Sequence, residues 1–151
     1  MLAMGLWAMT VGIVGWWFVT GSVMPGPEGR TQIILAPGER MVILGEMRQL
    51  LKSVHGVVSG LSDEDQATGR KAAAEAARAA GMAMAAEVPP ALMLKLPLPF
   101  KQMGQSVHRD FDILADGIEQ GESSQRILGR LSSITARCTT CHELYRLTER
   151  H

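Results

Sequence analysis

The sequence has few aromatic residues, only two cysteines and no excess charge. Three Phe, three Trp and one Tyr occur among 151 residues, so aromatic rings supply little of the core volume that a domain of this size needs. Fifteen Lys and Arg side chains balance fifteen Asp and Glu side chains. Because nucleic-acid phosphates favour a strong positive excess, this balance argues against a nucleic-acid-binding protein.

Charge is missing altogether from residues 1–24, which are rich in aliphatic side chains. At ~1.5 Å per residue a helix of this length spans about 36 Å, more than the ~30 Å hydrocarbon core of a bilayer. Trp16 and Trp17 suit the membrane interface. A cleaved signal peptide is the alternative, but the segment has no basic start and no small-residue cleavage site. We therefore predict a retained transmembrane anchor over residues 1–24.

Residues 25–36 are predicted to be a linker, because Pro25, Gly26 and Pro27 break regular structure. The apolar run Thr31–Leu35 has the composition of a strand, but a lone strand needs a partner. It is interpreted as extended chain, with a partner subunit as one surface on which it can lie.

Residues 37–151 are predicted to form one all-α domain, an antiparallel four-helix bundle. Apolar residues recur at spacings of three and four along the first, third and fourth helices, and the second is rich in alanine. Ser62 or Asp63 is the predicted N-cap of the second helix, and Ser123 or Ser124 that of the fourth. The expected helices cover about 37–60, 71–86, 100–121 and 124–150.

Both cysteines fall in the motif Cys138-Thr139-Thr140-Cys141-His142, which is the attachment signature of a c-type haem. Two thiols one helical turn apart can each add to a haem vinyl group. The histidine that follows becomes the proximal ligand of the iron. The sequence thus predicts one covalent haem c, bound through Cys138 and Cys141 with His142 on the metal.

Three other uses of the motif are weaker. A thioredoxin-like redox pair needs a strand before the first cysteine, whereas a helix is predicted there. A zinc site needs two more ligands, and the other histidines are scattered singly. A disulfide between cysteines three residues apart on one helix has poor geometry. Those other histidines are His55, His108 and His151.

Met47 is the predicted second ligand of the iron, on the inward face of the first helix. In an antiparallel bundle it is expected to lie level with His142, if each is about eight residues from its helix end. A Met ligand opposite His raises the potential of a haem iron. Leu44 beside an open distal face is the alternative, and Met41 lies nearby off the inward face.

Further contacts to the cofactor are predicted from the third and fourth helices. Phe111, on the apolar stripe of the third helix, is expected to pack on the porphyrin. For the cations near the haem, a solvated edge and a pairing with a haem propionate both stay open. Acidic residues of the third helix are interpreted as solvated charges. The cations are His108, Arg109, Arg137 and Arg146, and the acids are Asp110, Asp112, Asp116 and Glu119.

The C-terminal motif resembles that of class II c-type cytochromes, the cytochrome c-prime family, whose pattern Cys-x-x-Cys-His-x-x-Tyr-Arg is matched through Tyr145 and Arg146. The segment 111–114 also resembles the periplasmic four-helix b-type cytochromes, in which a first-helix methionine and a last-helix histidine bind iron. The resemblance covers roughly residues 37–150 and implies that Tyr145 and Arg146 contact the haem. Five-coordinate members have an arginine four residues before a distal aliphatic residue, a pattern that Arg40 and Leu44 match.

The expected function is electron transfer rather than enzyme catalysis. Covalent haem attachment takes place on the outer side of the bacterial inner membrane, which places the domain in the periplasm. The expected partners are a redox protein or the subunits of a membrane complex. Many relatives form homodimers, and for this chain that stays open. The alternative function is a five-coordinate binder of nitric oxide or carbon monoxide.

Overall fold

The computed structural model describes residues 2–149, and Met1, Arg150 and His151 lie outside the described residues. The chain is mostly helical and carries one small sheet. A 3-10 turn at Pro27–Gly29 separates the first two strands. The elements are α1 (Leu2–Thr20), β1 (Val23–Pro25), β2 (Thr31–Leu35), α2 (Pro37–Leu61), α3 (Gln66–Arg78), α4 (Met82–Ala85), α5 (Pro90–Met93), α6 (Leu98–Glu119), α7 (Ser124–Leu144) and β3 (Tyr145–Glu149).

The N-terminal helix α1 is long and apolar enough to cross a membrane. Its Ala3–Thr20 window has a mean hydropathy of 1.4, and none of the window is buried inside the protein. The helix stops at Thr20, because Gly21 takes a left-handed φ of 66° that ends the turn. The prediction of an anchor through residue 24 is therefore too long, since Val23–Pro25 belongs to the sheet.

The predicted linker contains the central strand of a three-stranded sheet. Strand β2 pairs with β1 antiparallel and with β3 parallel, in the register Thr31↔Tyr145. Ile33 and Leu35 point inward and are buried, as alternation along a strand requires. The interpretation of this run as unpaired linker is wrong, because it pairs with β1 just before it and with β3 more than a hundred residues later. The all-α prediction likewise omitted this sheet.

Helices α2 and α3 make the closest helix pair. A Cβ on Gly60 or on Gly69 would overlap the backbone of the other helix, so glycine is needed at both positions. Helix α2 begins as predicted, with the Glu39 carboxylate accepting the N–H of Ala36 at 2.9 Å. The N-cap of α3 is Asp65, which accepts the N–H of Ala67, rather than Ser62 or Asp63.

The predicted alanine-rich helix over 71–86 is interrupted. Helix α3 ends at Arg78, and the separate turn α4 starts after Gly81, where the Asp112 carboxylate accepts the N–H of Met82 at 2.9 Å. Asp112 also lies against Gly81, so a side chain there would meet it. The alanines of α3 pack against α2 and α6 as predicted.

Helices α6 and α7 carry the predicted apolar stripes and pack on each other. Helix α6 also packs on α3, whereas α2 and α7 touch only sparsely. Ser123 is the N-cap of α7, as one of the two predicted caps. Buried side chains of α2, α3, α6 and α7 form a closed core. It lies toward the C-terminal ends of α2 and α6, which we call the far end of the domain, and consists of Val57, Ala73, Ala77, Leu114, Ile118, Ile127, Leu131 and Ile134.

Candidate functional site

A cavity of about 500 Å³ opens where α2 and α7 stand apart. Its floor is α6, and its surface is mostly apolar. Drug-sized and cofactor sites have volumes of ~300–1,000 Å³, so the cavity is large enough for an organic cofactor. The side chains that line it from the three helices include Ile43, Leu44, Met47, Leu50, Val54, Phe100, Met103, Val107, Phe111, Cys138, Cys141 and His142.

The Cys-x-x-Cys-His motif lies in the last two turns of α7 and faces this cavity. Leu131 and Ile134 are buried on the apolar stripe of α7. The same stripe continues through Cys138 and Cys141, which are half-buried. The Cys138 thiol donates to the carbonyl oxygen of Ile134 at 3.6 Å. The motif is therefore held in place by the same packing that seats α7 on α6.

His142 lines the cavity but lies near its edge, with an exposed side chain. It is two residues before the end of α7 at Leu144, so the prediction of about eight residues is wrong. The chain turns into β3 at Tyr145, whose N–H donates to the carbonyl oxygen of Cys141. Pairing of β3 with β2 fixes the direction in which the chain leaves the motif.

Neither cysteine thiol is in a disulfide. Burial raises the pKa of Cys138. Burial, and the nearness of Cys138, raise the pKa of Cys141 to about 11. Redox-active thiols of thioredoxin-like proteins have lowered pKa values instead. The thiol environment thus disfavours a redox pair.

A zinc centre is also disfavoured by the donor set. Within residues 2–149, no group of three or more His, Cys, Asp and Glu side chains is arranged to hold a metal ion. A zinc site requires three or four such protein ligands. Haem iron requires only axial ligands from the protein, since the porphyrin supplies the others.

Met47 lines the same cavity as His142, although on the opposite wall, in α2. Its side chain is half-buried and packs with the cluster beneath the sheet. Leu44, the alternative distal residue, also lines the cavity. Met41 is 53 % exposed and is not among the residues that line the cavity. Phe111, which is predicted to pack on the porphyrin, is fully buried and lines the floor of the cavity.

Tyr145 and Arg146 line a smaller cavity of about 200 Å³ that shares Met47, Cys141 and His142 with the first. The ring of Tyr145 meets Phe100 edge-on, with centroids 5.4 Å apart and planes at 84°. Burial raises the pKa of Tyr145. Tyr145 therefore stiffens the end of the motif through Phe100, which itself lines the larger cavity.

Three arginines surround the smaller cavity, and we name them the basic rim: Arg30, Arg40 and Arg146. Arg30 pairs with Glu28 at 2.8 Å, and Arg40 with Glu149 at 3.3 Å. The pairing of β2 with β3 brings Arg146 next to Arg30 and Arg40, which lie more than a hundred residues earlier in the chain. Arg30 had no motif around it, so the sequence offered no signal for its place at the site.

A buried polar pair, Glu46 and His108, lines the cavity between α2 and α6. The Nδ1 of His108 lies 2.7 Å from the carbonyl oxygen of Ala80, and its Nε2 lies 4.0 Å from Glu46. Burial, helped by Glu87, raises the pKa of Glu46 to about 7. The interpretation that His108 lies on a solvated edge is wrong, because its side chain is buried and the residue is only 5 % exposed. The sequence did not point to Glu46.

The remaining acidic residues of α6 are held in ion pairs with arginines. Asp110 pairs with Arg137 at the rim of the cavity. Arg109 is exposed, as the solvated-edge interpretation expects. The predicted solvated acids Asp112, Asp116 and Glu119 all bind Arg78 of α3.

Comparison of the chain with family models, with curated proteins and with solved structures yields no match.

Proposed function

We propose that this protein is a membrane-anchored c-type cytochrome that carries one covalent haem and transfers electrons. One observation carries the proposal: a single apolar cavity brings together both thiols, the adjoining His142 and, from another helix, Met47. These four side chains are the complete set that a six-coordinate c-type haem takes from a protein. The resemblance of the motif to class II cytochromes supports the same function.

The residues of the cavity fit a haem in size and in chemistry. Bound there, the haem would supply an iron centre that alternates between ferric and ferrous states. The S–H groups of Cys138 and Cys141 would add across its two vinyl groups, each sulfur bonding to carbon and each proton going to the other carbon. His142 and Met47 would be the protein ligands that hold the iron. Phe111 and the aliphatic walls would exclude water.

The basic rim offers a place for the haem carboxylates. Arg146 lines the smaller cavity together with His142 and Tyr145, and His142 also lines the larger one. A guanidinium group can donate two parallel hydrogen bonds to a carboxylate, which fixes its orientation as well as its charge. Arg137 is held by Asp110 at the opposite rim. We propose Arg146 as the propionate partner.

We interpret α2, α3, α6 and α7 as an antiparallel four-helix bundle that is open along its α2–α7 side. The haem would fill that side and supply the apolar volume that the few aromatic residues leave missing. Helix α1 would cross the bacterial inner membrane, with the bundle in the periplasm, where haem is attached. The electron partner would be a redox protein or a subunit of a membrane complex.

A second candidate function is a five-coordinate binder of nitric oxide or carbon monoxide. Leu44 favours it, because this side chain lines both cavities one turn before Met47 on the same helix. In that case Leu44 would cover the distal face and Met47 would remain an ordinary wall residue.

Optical spectra of the haem-loaded protein separate the two functions. The electron carrier predicts a low-spin ferrous spectrum that carbon monoxide barely changes, together with a methionine–iron charge-transfer band in the ferric state. Met47→Ala should abolish that band, whereas Met103→Ala, in the same cavity, should leave it. A high-spin wild-type spectrum that shifts with carbon monoxide would establish the gas binder instead.

A further inference from the structure

The C-terminal end of α1 is fastened to the start of α6 by a buried lysine. The Nζ of Lys101 donates to the carbonyl oxygen of Phe18 at 2.5 Å and lies 3.6 Å from the centre of the Phe18 ring. A cation at a helix C-terminus satisfies carbonyls that lack helical partners and interacts favourably with the helix dipole. Lys101 is 5 % exposed, so it joins the two helices rather than facing water.

The chain that leaves α1 is fastened to the same region by its backbone. The N–H of Ser22 donates to the carbonyl oxygen of Lys95 at 2.7 Å, and the N–H of Ile34 donates to that of Ser22 at 2.8 Å. Gly21 lies so close to Lys95 and Pro97 that a Cβ would be 2.6 Å from their backbone atoms. The orientation of the globular domain relative to α1 is therefore fixed at this junction.

Exposed apolar residues flank the junction on both sides. We name them the collar: Val23 and Met24 of β1, together with Pro89, Pro90, Ala91 and Leu94 around α5. Leu94 is 43 % exposed and adjoins Lys95, and Val23 adjoins Ser22. The collar thus begins at the Ser22–Lys95 hydrogen bond itself and is continuous with the lipid-facing surface of α1.

The collar carries almost no charge that a lipid surface would have to desolvate. Residues 88–94 contain no charged side chain. The Lys95 ammonium is neutralised by Glu39 at 2.6 Å, and Lys101 is bound to Phe18. Glu87 is exposed at the outer edge of α4 and marks the boundary of the uncharged segment.

We propose that the collar is a second membrane contact, seated in the interfacial layer of the lipid bilayer beside the exit of α1. The proposal rests on the membrane anchoring proposed above. Apolar side chains that lie in the interface add binding energy in proportion to the area they bury. Trp16 and Trp17, one turn before the end of α1, suit the same layer from the side of the membrane helix.

This contact would hold the cofactor cavity close to the membrane surface. Met103, Gly104 and Val107 line the cavity and lie two to six residues along α6 from Lys101, about 3 to 9 Å at ~1.5 Å per residue. The distant ends of α6 and α2 would face away from the bilayer. An electron partner would then meet the haem at the level of the lipid headgroups.

Cysteine reactivity in reconstituted vesicles tests the proposal, since the native cysteines are consumed when haem is attached. Leu94→Cys, Leu128→Cys and Val11→Cys would be made in the full, haem-loaded chain in phosphatidylcholine vesicles. Leu128, in the first turns of α7, is 47 % exposed and provides the matched control at the far end of the domain. The measurement is the ratio of labelling rates with a charged and an uncharged maleimide, located by peptide mass spectrometry.

The proposal predicts that this ratio is several-fold lower at position 94 than at position 128. Equal ratios at 94 and 128, with a low ratio at position 11, would overturn the collar and leave the anchor intact. A ratio at position 11 as high as that at 128 would instead contradict the anchor. The two failures are therefore distinguishable.

Discussion

The two ends of the helical domain are packed differently, although the same apolar periodicity runs through both. At the far end, small alanines of α3 and branched side chains of α6 and α7 close the core. Near α1, the stripe of α2 continues through Met47, Leu50 and Val54, but these side chains are only half-buried and face a cavity. A stripe that stays apolar where no helix covers it indicates a place for an apolar ligand.

The largest expected effect comes from opening the closed core. Leu114 is fully buried between the helices, so Leu114→Ala should lower the free energy of unfolding by about 2–5 kcal/mol. Leu128→Ala, at an exposed position of α7, should change it by no more than ~0.5 kcal/mol. Urea unfolding of both variants measures the difference. Equal effects would show that the far end is no better packed than the surface.

The close contact between α2 and α3 provides a second test of the tight packing at the far end. Gly69→Ala would force the α2 and α3 backbones apart at Gly60, with an expected loss of about 1–3 kcal/mol. Gly129→Ala is the control, because that helical glycine has open space around it. Replacing it should stabilise α7 by up to ~1 kcal/mol. Stabilisation by both variants would contradict the tight crossing.

Shortening a side chain that lines the cavity should destabilise the protein more when haem fills the cavity than when it is absent. With haem attached, Leu50→Ala should lower the free energy of unfolding by about 2–3 kcal/mol, since the cofactor completes the burial of this side chain. In the haem-free Cys138→Ala/Cys141→Ala background the same change should cost about 1 kcal/mol or less. Val58→Ala, exposed on α2, is the control. An equal cost in both backgrounds would place the haem elsewhere.

The smallest expected effect is electrostatic and belongs to the far end. The Glu122 carboxylate accepts two hydrogen bonds from Arg130, at 2.8 and 3.0 Å, which lower its pKa below the usual 4.5. Because the folded pKa is depressed, this pair stabilises the fold above pH 4.5 and loses its effect as pH falls through the lowered value.

Glu122→Gln should therefore flatten the fall in melting temperature on acidification, whereas Glu143→Gln, at an exposed position, should not. Thermal melts of haem-loaded variants across the acidic range provide the measurement. If the melting temperature of Glu122→Gln falls with pH as steeply as that of the wild type, this ion pair does not stabilise the far end.

Local signals in the sequence predicted most of the helical segments, whereas they did not predict the long-range strand pairing. Spacings of three and four residues are readable within one segment, which is why the stripes of α2, α6 and α7 were found. The pairing of Thr31–Leu35 with Tyr145–Glu149 joins segments that no local pattern connects. Missing that pairing also extended α7 through Tyr145, so His142 was expected too far from the helix end.

The same limit applies to the polar residues of the cavity and the junction. His108 was expected on a solvated edge or beside a haem propionate, but its burial depends on Glu46 of α2 and on Ala80 in the turn between α3 and α4. No local pattern indicates the burial of Lys101, because its partner, Phe18, lies in the N-terminal helix. Cys138, Cys141 and His142 could be singled out from the sequence because the predicted haem-attachment motif depends only on spacing within five residues.

Covalent haem at Cys138 and Cys141 is the claim on which the proposed function depends. Its most direct test is expression of the chain together with a haem-attachment system, followed by mass spectrometry of the peptide that contains residues 138–142. We predict one haem on that peptide, retained after denaturation and lost in the Cys138→Ala/Cys141→Ala variant but kept in Thr139→Ala. A wild-type peptide with two unmodified thiols, from cells that mature another c-type cytochrome, would contradict it.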